Sequence, residues 1–428
     1  MSGDGHHHDR DDRAGVQLRE GLLIEAGAGP RAGPAAVFRL RPSVELFPAS
    51  DGRLYFIRPG PGPDLAVPRP EPADRALLER LAAGAATADE LCAAADVTPG
   101  ELARKLESLA AADLLLVLRA PQPPLEAGDA ERFARQLPYF AERGDPAAAQ
   151  RALLDARVVI LGCGGLGTWA LGALATAGVR RFVLVDDDTI ELSNLNRQIL
   201  YDAGDVGAPK VERAAAWVER FEPRSDVTRV ARRIRSAEDL RDVVAGADAL
   251  VHAADWPPYD IVRWADEACR EAGVPYITAG QAPPVLKIGP TYVPGRSACF
   301  ACHEAALHAQ APLFAELAAQ RRAQPAPATT LGPASGVIGA LLAMEVMHLL
   351  LGAVTPATEG RALLLDMETL ETRWEAIDRR ADCLACNHLV WHGSTRAGSA
   401  ADSARQGVVA PAASAPVDGV QRSRHQPG

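Results

Sequence analysis

The apolar run RVVIL, residues 157–161, leads directly into GCGGLG and then into the small, apolar stretch TWALGALATAGV. Gly162, Gly164 and Gly167 stand at the spacing G-x-G-x-x-G, with Gly165 between them. Glycine at such a strand-to-helix turn admits backbone amides close to a phosphate, and the helix N-terminus behind them favours negative charge. A chain built around this unit has few options. The strand belongs in a largely parallel sheet, and the helix must cover one of its faces.

The flanking sequence repeats the alternation: RFVLVDDD, KVERAAAWVERF, DVTRV, SAEDLRDVVAG and ALVHAA read as strand, helix, strand, helix, strand. The expected fold is α/β, a doubly wound, Rossmann-like, mostly parallel sheet with a C-terminal antiparallel extension and a zinc site, over residues 131–392. A chain of 428 residues has room for a second core. Its net charge of −10 argues against a nucleic-acid partner, since backbone affinity comes from clustered Lys and Arg and only 229–235 and 321–322 are densely basic. No run approaches the length needed to cross a bilayer, and no apolar stretch follows MSGDGHHHDRDD, so no membrane partner and a cytoplasmic location are expected. The Gly-, Ala- and Ser-rich ends, 1–36 and 393–428, are expected to be disordered.

Between 37 and 119 the pattern predicts a small winged-helix-like α+β domain. VFRLRP and RLYFIRP read as a hairpin, ADRALLERLAAG, TADELCAAAD and TPGELARKLESLAAADLL as helices, and LLVL as a closing strand. Thr87 with Glu90 and Thr98 with Glu101 have capping-box spacing. The third helix offers only Arg104 and Lys105 as cations, so a peptide or protein suits it at least as well as DNA. The Pro-containing stretch 120–130 reads as a linker.

Asp186 lies about twenty residues beyond the last glycine of the loop, where a carboxylate can accept from ribose hydroxyls. To this point a dinucleotide dehydrogenase fits equally well. Asn194, Arg197, Gln198 and Lys210 follow, and converging cations suit a triphosphate, because attack on an α-phosphorus develops charge on its oxygens. The run GCGGLG…VDDDTIELSNLNRQ…GAPK resembles the ThiF/MoeB/HesA superfamily of ATP-dependent adenylating enzymes over roughly 130–390. The resemblance implies Asp186 as the ribose ligand, with Asp188 and the loop glycines lining the nucleotide site. It implies Asn194, Arg197 and Lys210 as triphosphate contacts, Gln198 as an orienting neighbour, and Asp255 of HAADWPPYD as the magnesium ligand. Asp187, Glu191 and Ser193 are read as solvated loop residues. ERFARQLPYF resembles the segment that lends an arginine to the opposite subunit; Arg135 is the matching residue, which implies a homodimer with composite sites.

Cys299-Phe-Ala-Cys302 and Cys383-Leu-Ala-Cys386 are two C-x-x-C knuckles, the donor set of a closed, structural zinc site. His303 and His388 are redundant beside four sulfurs. Several relatives pass the acyl group to a cysteine between the first knuckle and the GPASGVIGALLAMEVMHLL helix; residues 303–330 contain none, and Cys92, Cys163 and Cys269 are not placed for that role. The adenylate is therefore expected to be used without a thioester. ADWPPYDIVRW, with Trp256 where relatives carry an asparagine, together with the N-terminal module, resembles the microcin C-type peptide-adenylating enzymes of ribosomal peptide maturation. That likeness implies ATP, magnesium and zinc as cofactors and a precursor peptide as partner. Two alternatives stand beside it: adenylation of a small ubiquitin-like sulfur carrier, and a non-catalytic leader-binding partner of an azoline-forming cyclodehydratase.

Overall fold

The structure, a computed structural model, describes residues 36–59, 65–118, 123–324 and 329–390. Apart from Ala36, the tails expected to be disordered lie outside them.

The N-terminal module contains β1 (Val37–Leu40), β2 (Glu45–Pro48), β3 (Leu54–Ile57), β4 (Leu65–Val67), α1 (Pro72–Ala83), β5 (Ala86–Thr87), α2 (Ala88–Ala95), α3 (Pro99–Ala111) and β6 (Leu115–Leu118). Both capping boxes form, Thr87 with Glu90 and Thr98 with Glu101. The expected hairpin does not. RLYFIRP supplies β3, which pairs with β2 and β4, while β1 lies between β5 and β6 in a separate antiparallel sheet. The reason is local: Asp51-Gly52, with Gly52 at φ 86°, turns the chain directly from β2 into β3 and makes those two strands the nearest partners. Phe38 and Leu40 of β1 then join Leu115 of β6 in the same core as Leu77, Leu91 and Leu102 of the helices. Lys105 is not available to a partner, because it pairs with the buried Asp74 of α1.

The end of the expected linker is helical. α4 (Ala127–Arg132) buries Asp129, whose Oδ1 accepts from Arg180 and Arg224 at 2.6 Å each, and this ion cluster draws residues 127–130 onto the following domain.

That domain continues through α5 (Leu137–Ala141), α6 (Pro146–Asp155), β7 (Arg157–Leu161), α7 (Gly165–Ala177), β8 (Arg181–Val185), α8 (Lys210–Phe221), β9 (Asp226–Val230), α9 (Glu238–Val244), β10 (Ala249–His252), α10 (Asp260–Ala272), β11 (Tyr276–Ala282), β12 (Val285–Tyr292), α11 (Phe300–Gln310), α12 (Phe314–Ala323), α13 (Gly332–Leu351), β13 (Arg361–Asp366) and β14 (Thr372–Ala376). Eight strands form one sheet in the order β14-β13-β12-β11-β10-β7-β8-β9, parallel from β11 to β9 and antiparallel from β12 to β14. Successive residues of β7 and β8 alternate between two cores: Val158, Ile160, Phe182 and Leu184 face α7 and α13, and Val159, Leu161, Val183 and Val185 face α9 and α10.

One sequence expectation fails on α13. This helix has 20 residues and a mean hydropathy of 1.8, long and apolar enough to cross a membrane by those measures alone. Ala334, Ile338, Leu342 and Val346 are instead fully buried in the protein core beside α7, while Val337 and Met344 on its other side are exposed.

Candidate active site

Where β7 ends, Gly162 at φ 96° turns the chain, and a Cβ there would stand 2.7 Å from the Ala254 amide beyond β10. At Gly167 a Cβ would fall 1.8 Å from the Gly162 carbonyl, so these two positions admit no side chain. The loop therefore lies flat against the end of β10, and the N-terminus of α7 opens beside it. Asp186, just past β8, accepts from the Cys163 amide at 2.7 Å and from the Asp188 amide at 2.9 Å. Burial raises its pKa, opposed by the Lys210 charge and those two amides. Lys210, largely buried at the start of α8, donates to Asp188 at 2.7 Å. The glycine loop, Asp186, Asp188 and Lys210 thus come together at one end of the cleft.

Beside the same loop, Arg197 donates to the Ser193 carbonyl and to Asn196 Oδ1, both at 3.0 Å. Its stem lies 3.3–3.4 Å from the place a Gly165 Cβ would take. Asn194 is buried and accepts from the Glu191 amide at 3.1 Å, which shapes the short 3-10 turn that carries Arg197. Gln198 is 2% exposed beside Gly164, and its Oε1 has no partner among the described residues. Asp255 follows Ala254, exposed, at the carboxyl end of β10. Arg135 is exposed in the turn between α4 and α5, a turn held on both sides: Phe133 packs against Gly178, and Gln136 donates to the Ala177 carbonyl at 2.8 Å.

Sequence reasoning missed two residues. The Tyr201 hydroxyl sits 2.8 Å from the Cys163 carbonyl and 3.3 Å from that of Lys210, bracing the loop against α8. Ser335, in the first turn of α13, lies against Gly165.

Away from the cleft, Cys299, Cys302, Cys383 and Cys386 are buried together. Sulfur separations are 3.9 Å between Cys299 and Cys302, 3.7 Å between Cys299 and Cys383, and 3.7 Å between Cys302 and Cys386. Four thiolates at a tetrahedral zinc lie about 3.8 Å apart, so the set fits that ion. His303 is turned away from it to hydrogen-bond Tyr292 at 2.7 Å. Cys163 and Cys269 are buried, and burial raises both thiols well above their ordinary range.

Comparison with known proteins agrees with this architecture. The chain is 35% identical over 272 residues to the SAMP-activating enzyme E1 of Haloferax volcanii, spanning 61% of this chain and 90% of that one. It is 34% identical over 240 residues to the sulfur carrier protein ThiS adenylyltransferase of Escherichia coli, spanning 55% and 88%. The fold matches the crystal structure of E. coli MccB with ATP at a TM-score of 0.63 and 24% identity, covering 82% of this chain and 99% of MccB. The ThiF family matches residues 133–386, the whole span from the Arg135 turn to the last zinc knuckle, and the chain belongs to that family.

Proposed function

We propose that this adenylyltransferase transfers AMP from ATP to the C-terminal carboxylate of a ribosomally made peptide, with no cysteine thioester step. One observation carries the peptide reading. The sulfur-carrier relatives span 55–61% of this chain, whereas the likeness to MccB spans 82%, more than residues 133–386 can supply, and so takes in the N-terminal module. MccB has been crystallised with N-formylated MccA. The module of this chain offers an extended peptide the outer strands β2 and β4 of a three-stranded sheet, with Phe47 half exposed on β2. Holding the leader there raises the concentration of the peptide's C-terminus at the nucleotide site. The identities to SAMP- and ThiS-activating enzymes favour a small ubiquitin-like carrier as the second reading.

In this reading Asp186 accepts from the ribose, the amides of the Gly164–Gly167 loop face the phosphates, and Arg197 and Lys210 neutralise charge as the carboxylate attacks the α-phosphorus. Both cations are held by weaker or exchangeable partners, the backbone and Asn196 for one and the exposed Asp188 for the other, so they can be drawn to a phosphate. Asp255, exposed just past β10, would hold magnesium, which would neutralise phosphate charge. The four cysteines would hold zinc, which would tie the C-terminal knuckle beyond β14 to α11. The protein acts in the cytoplasm as a homodimer in which Arg135 completes the partner's site; Val337, Leu341 and Met344, spaced along the outer side of α13, supply an apolar stripe, and α5 meets that helix where Tyr139 lies 3.4 Å from His348.

Exchange of labelled pyrophosphate into ATP, with candidate peptides encoded beside the gene, tests the reaction. Magnesium-dependent exchange with one peptide supports it; exchange only with a carrier ending in Gly-Gly selects the second reading, and none with either removes both.

A further inference from the structure

α13 packs along α7 in one direction. Ser335 meets Gly165, and four residues on, Gly339 meets Trp169 and Ala170, where an added Cβ would stand 2.3 Å from the Trp169 Cβ and 2.9 Å from the Ala170 amide. Equal steps in the same sense on both helices mean that they run parallel, so both N-termini open at the same end, beside the glycine loop. Gly332 seals the junction: a Cβ there would lie 2.6 Å from the Asn196 carbonyl, next to Arg197. Two positive helix ends side by side repel each other, and an anion between them relieves that repulsion.

The Ser335 side chain supplies the second observation. Ser335 is fully buried, its amide is committed to the Leu331 carbonyl at 3.0 Å, and its Oγ has no hydrogen-bond partner among the described residues. A serine inside a helix ordinarily returns its hydroxyl to a carbonyl one turn back, and an unpaired buried hydroxyl costs stability. This one lies 3.1 Å from the point a Gly165 Cβ would occupy, and the Arg197 stem reaches the same point at 3.3 Å. Meanwhile the Arg197 guanidinium is folded back onto Ser193 and Asn196. The Arg197 stem and the Ser335 hydroxyl thus both approach Gly165 at the start of α7.

We propose that Ser335 and the first turn of α13 form a second anion-binding wall, so that the triphosphate of the nucleotide is held between two parallel helix N-termini. This rests on reading the cleft as an ATP site. Ser335 acts on the phosphates and not on the ribose, because it meets the loop at Gly165 whereas Asp186, the ribose ligand of that reading, bonds to the Cys163 amide.

Titration calorimetry of ATP and of adenosine into the full-length protein, wild type and Ser335→Ala, tests it. ATP affinity should fall about tenfold, as for loss of one hydrogen bond to a charged group, while adenosine affinity stays the same. The melting temperature of the nucleotide-free variant should be unchanged or higher, since only an unpaired hydroxyl is removed. Unaltered ATP affinity in the variant overturns the proposal, and so does an equal loss for adenosine. If wild-type protein itself binds no ATP, the reading of the cleft falls first and this wall with it, which separates the two failures.

Discussion

Arg197 illustrates how much a residue's role depends on what holds it at rest: its guanidinium bonds only to a carbonyl and an asparagine of its own turn, at 3.0 Å each. Arg197→Ala should therefore leave folding intact and lower pyrophosphate exchange roughly 100-fold or more through lost charge neutralisation. A variant with wild-type exchange would remove Arg197 from the chemistry. His252, at the end of β10, is the opposite case. Burial pushes its pKa down to about 4, and its Nε2 lacks a partner among the described residues. Unfolded histidine titrates near 6.5, so the stability associated with the neutral ring is complete above that pH and is lost as pH falls toward 4. Between pH 7 and 5 the wild type should lose about 2 kcal/mol more than His252→Gln, measured as urea unfolding free energy. Parallel losses in the two proteins would contradict the assignment. Among single residues, the glycines and Asp186 were legible because their spacing reports a strand-to-helix turn, whereas Arg197 and Lys210 were picked out by their charge and by the family resemblance. Ser335 was not, since its importance comes from a helix that packs on Gly165 from about 170 residues further along the chain.

Elements obey the sequence where their partners are local. The capping boxes of α2 and α3 formed as spaced, and so did the alternation of β7, α7 and β8. The N-terminal hairpin failed because strand pairing was read from residue pattern while the Asp51-Gly52 turn chose a different neighbour. The α7–α13 contact offers an internal control on packing. Gly339→Ala places a methyl 2.3 Å from the Trp169 Cβ and should cost about 1–3 kcal/mol in denaturant unfolding, whereas Gly336→Ala, with 3.4 Å to the Trp169 ring, should be neutral or mildly stabilising through helix propensity. Equal effects at both sites would show that the helices are not pressed together at Gly339. At the zinc knuckles, Cys383→Ser should abolish about one equivalent of bound zinc and lower the melting temperature, because structural zinc contributes folding energy. Elemental analysis showing no zinc in folded wild-type protein would refute the assignment.

At the scale of the whole molecule the two modules are joined by few strong contacts, among them Ser43 donating to Glu142 at 2.9 Å and Arg41 donating to the Glu142 carbonyl at 2.6 Å. Deleting residues 1–119 should weaken peptide binding greatly and leave ATP affinity within a few-fold, as measured by calorimetry; unchanged peptide affinity would sink the leader-binding assignment. Mixing Arg135→Ala with Arg197→Ala protein should restore part of the exchange activity, since a heterodimer rebuilds one intact composite site. A mixture as inactive as its parents, after proven subunit exchange, would mean that Arg135 does not act across an interface. By itself the sequence determined the doubly wound domain, the glycine loop and the pairing of the two cysteine knuckles, because each is written in spacings of a few residues that backbone geometry converts directly into structure. Only the tertiary structure decided which strands pair in the N-terminal module, that the apolar Gly332–Leu351 run is a core helix, and that its N-terminus meets the glycine loop. Those outcomes depend on which distant surfaces bury one another, and no local spacing records that.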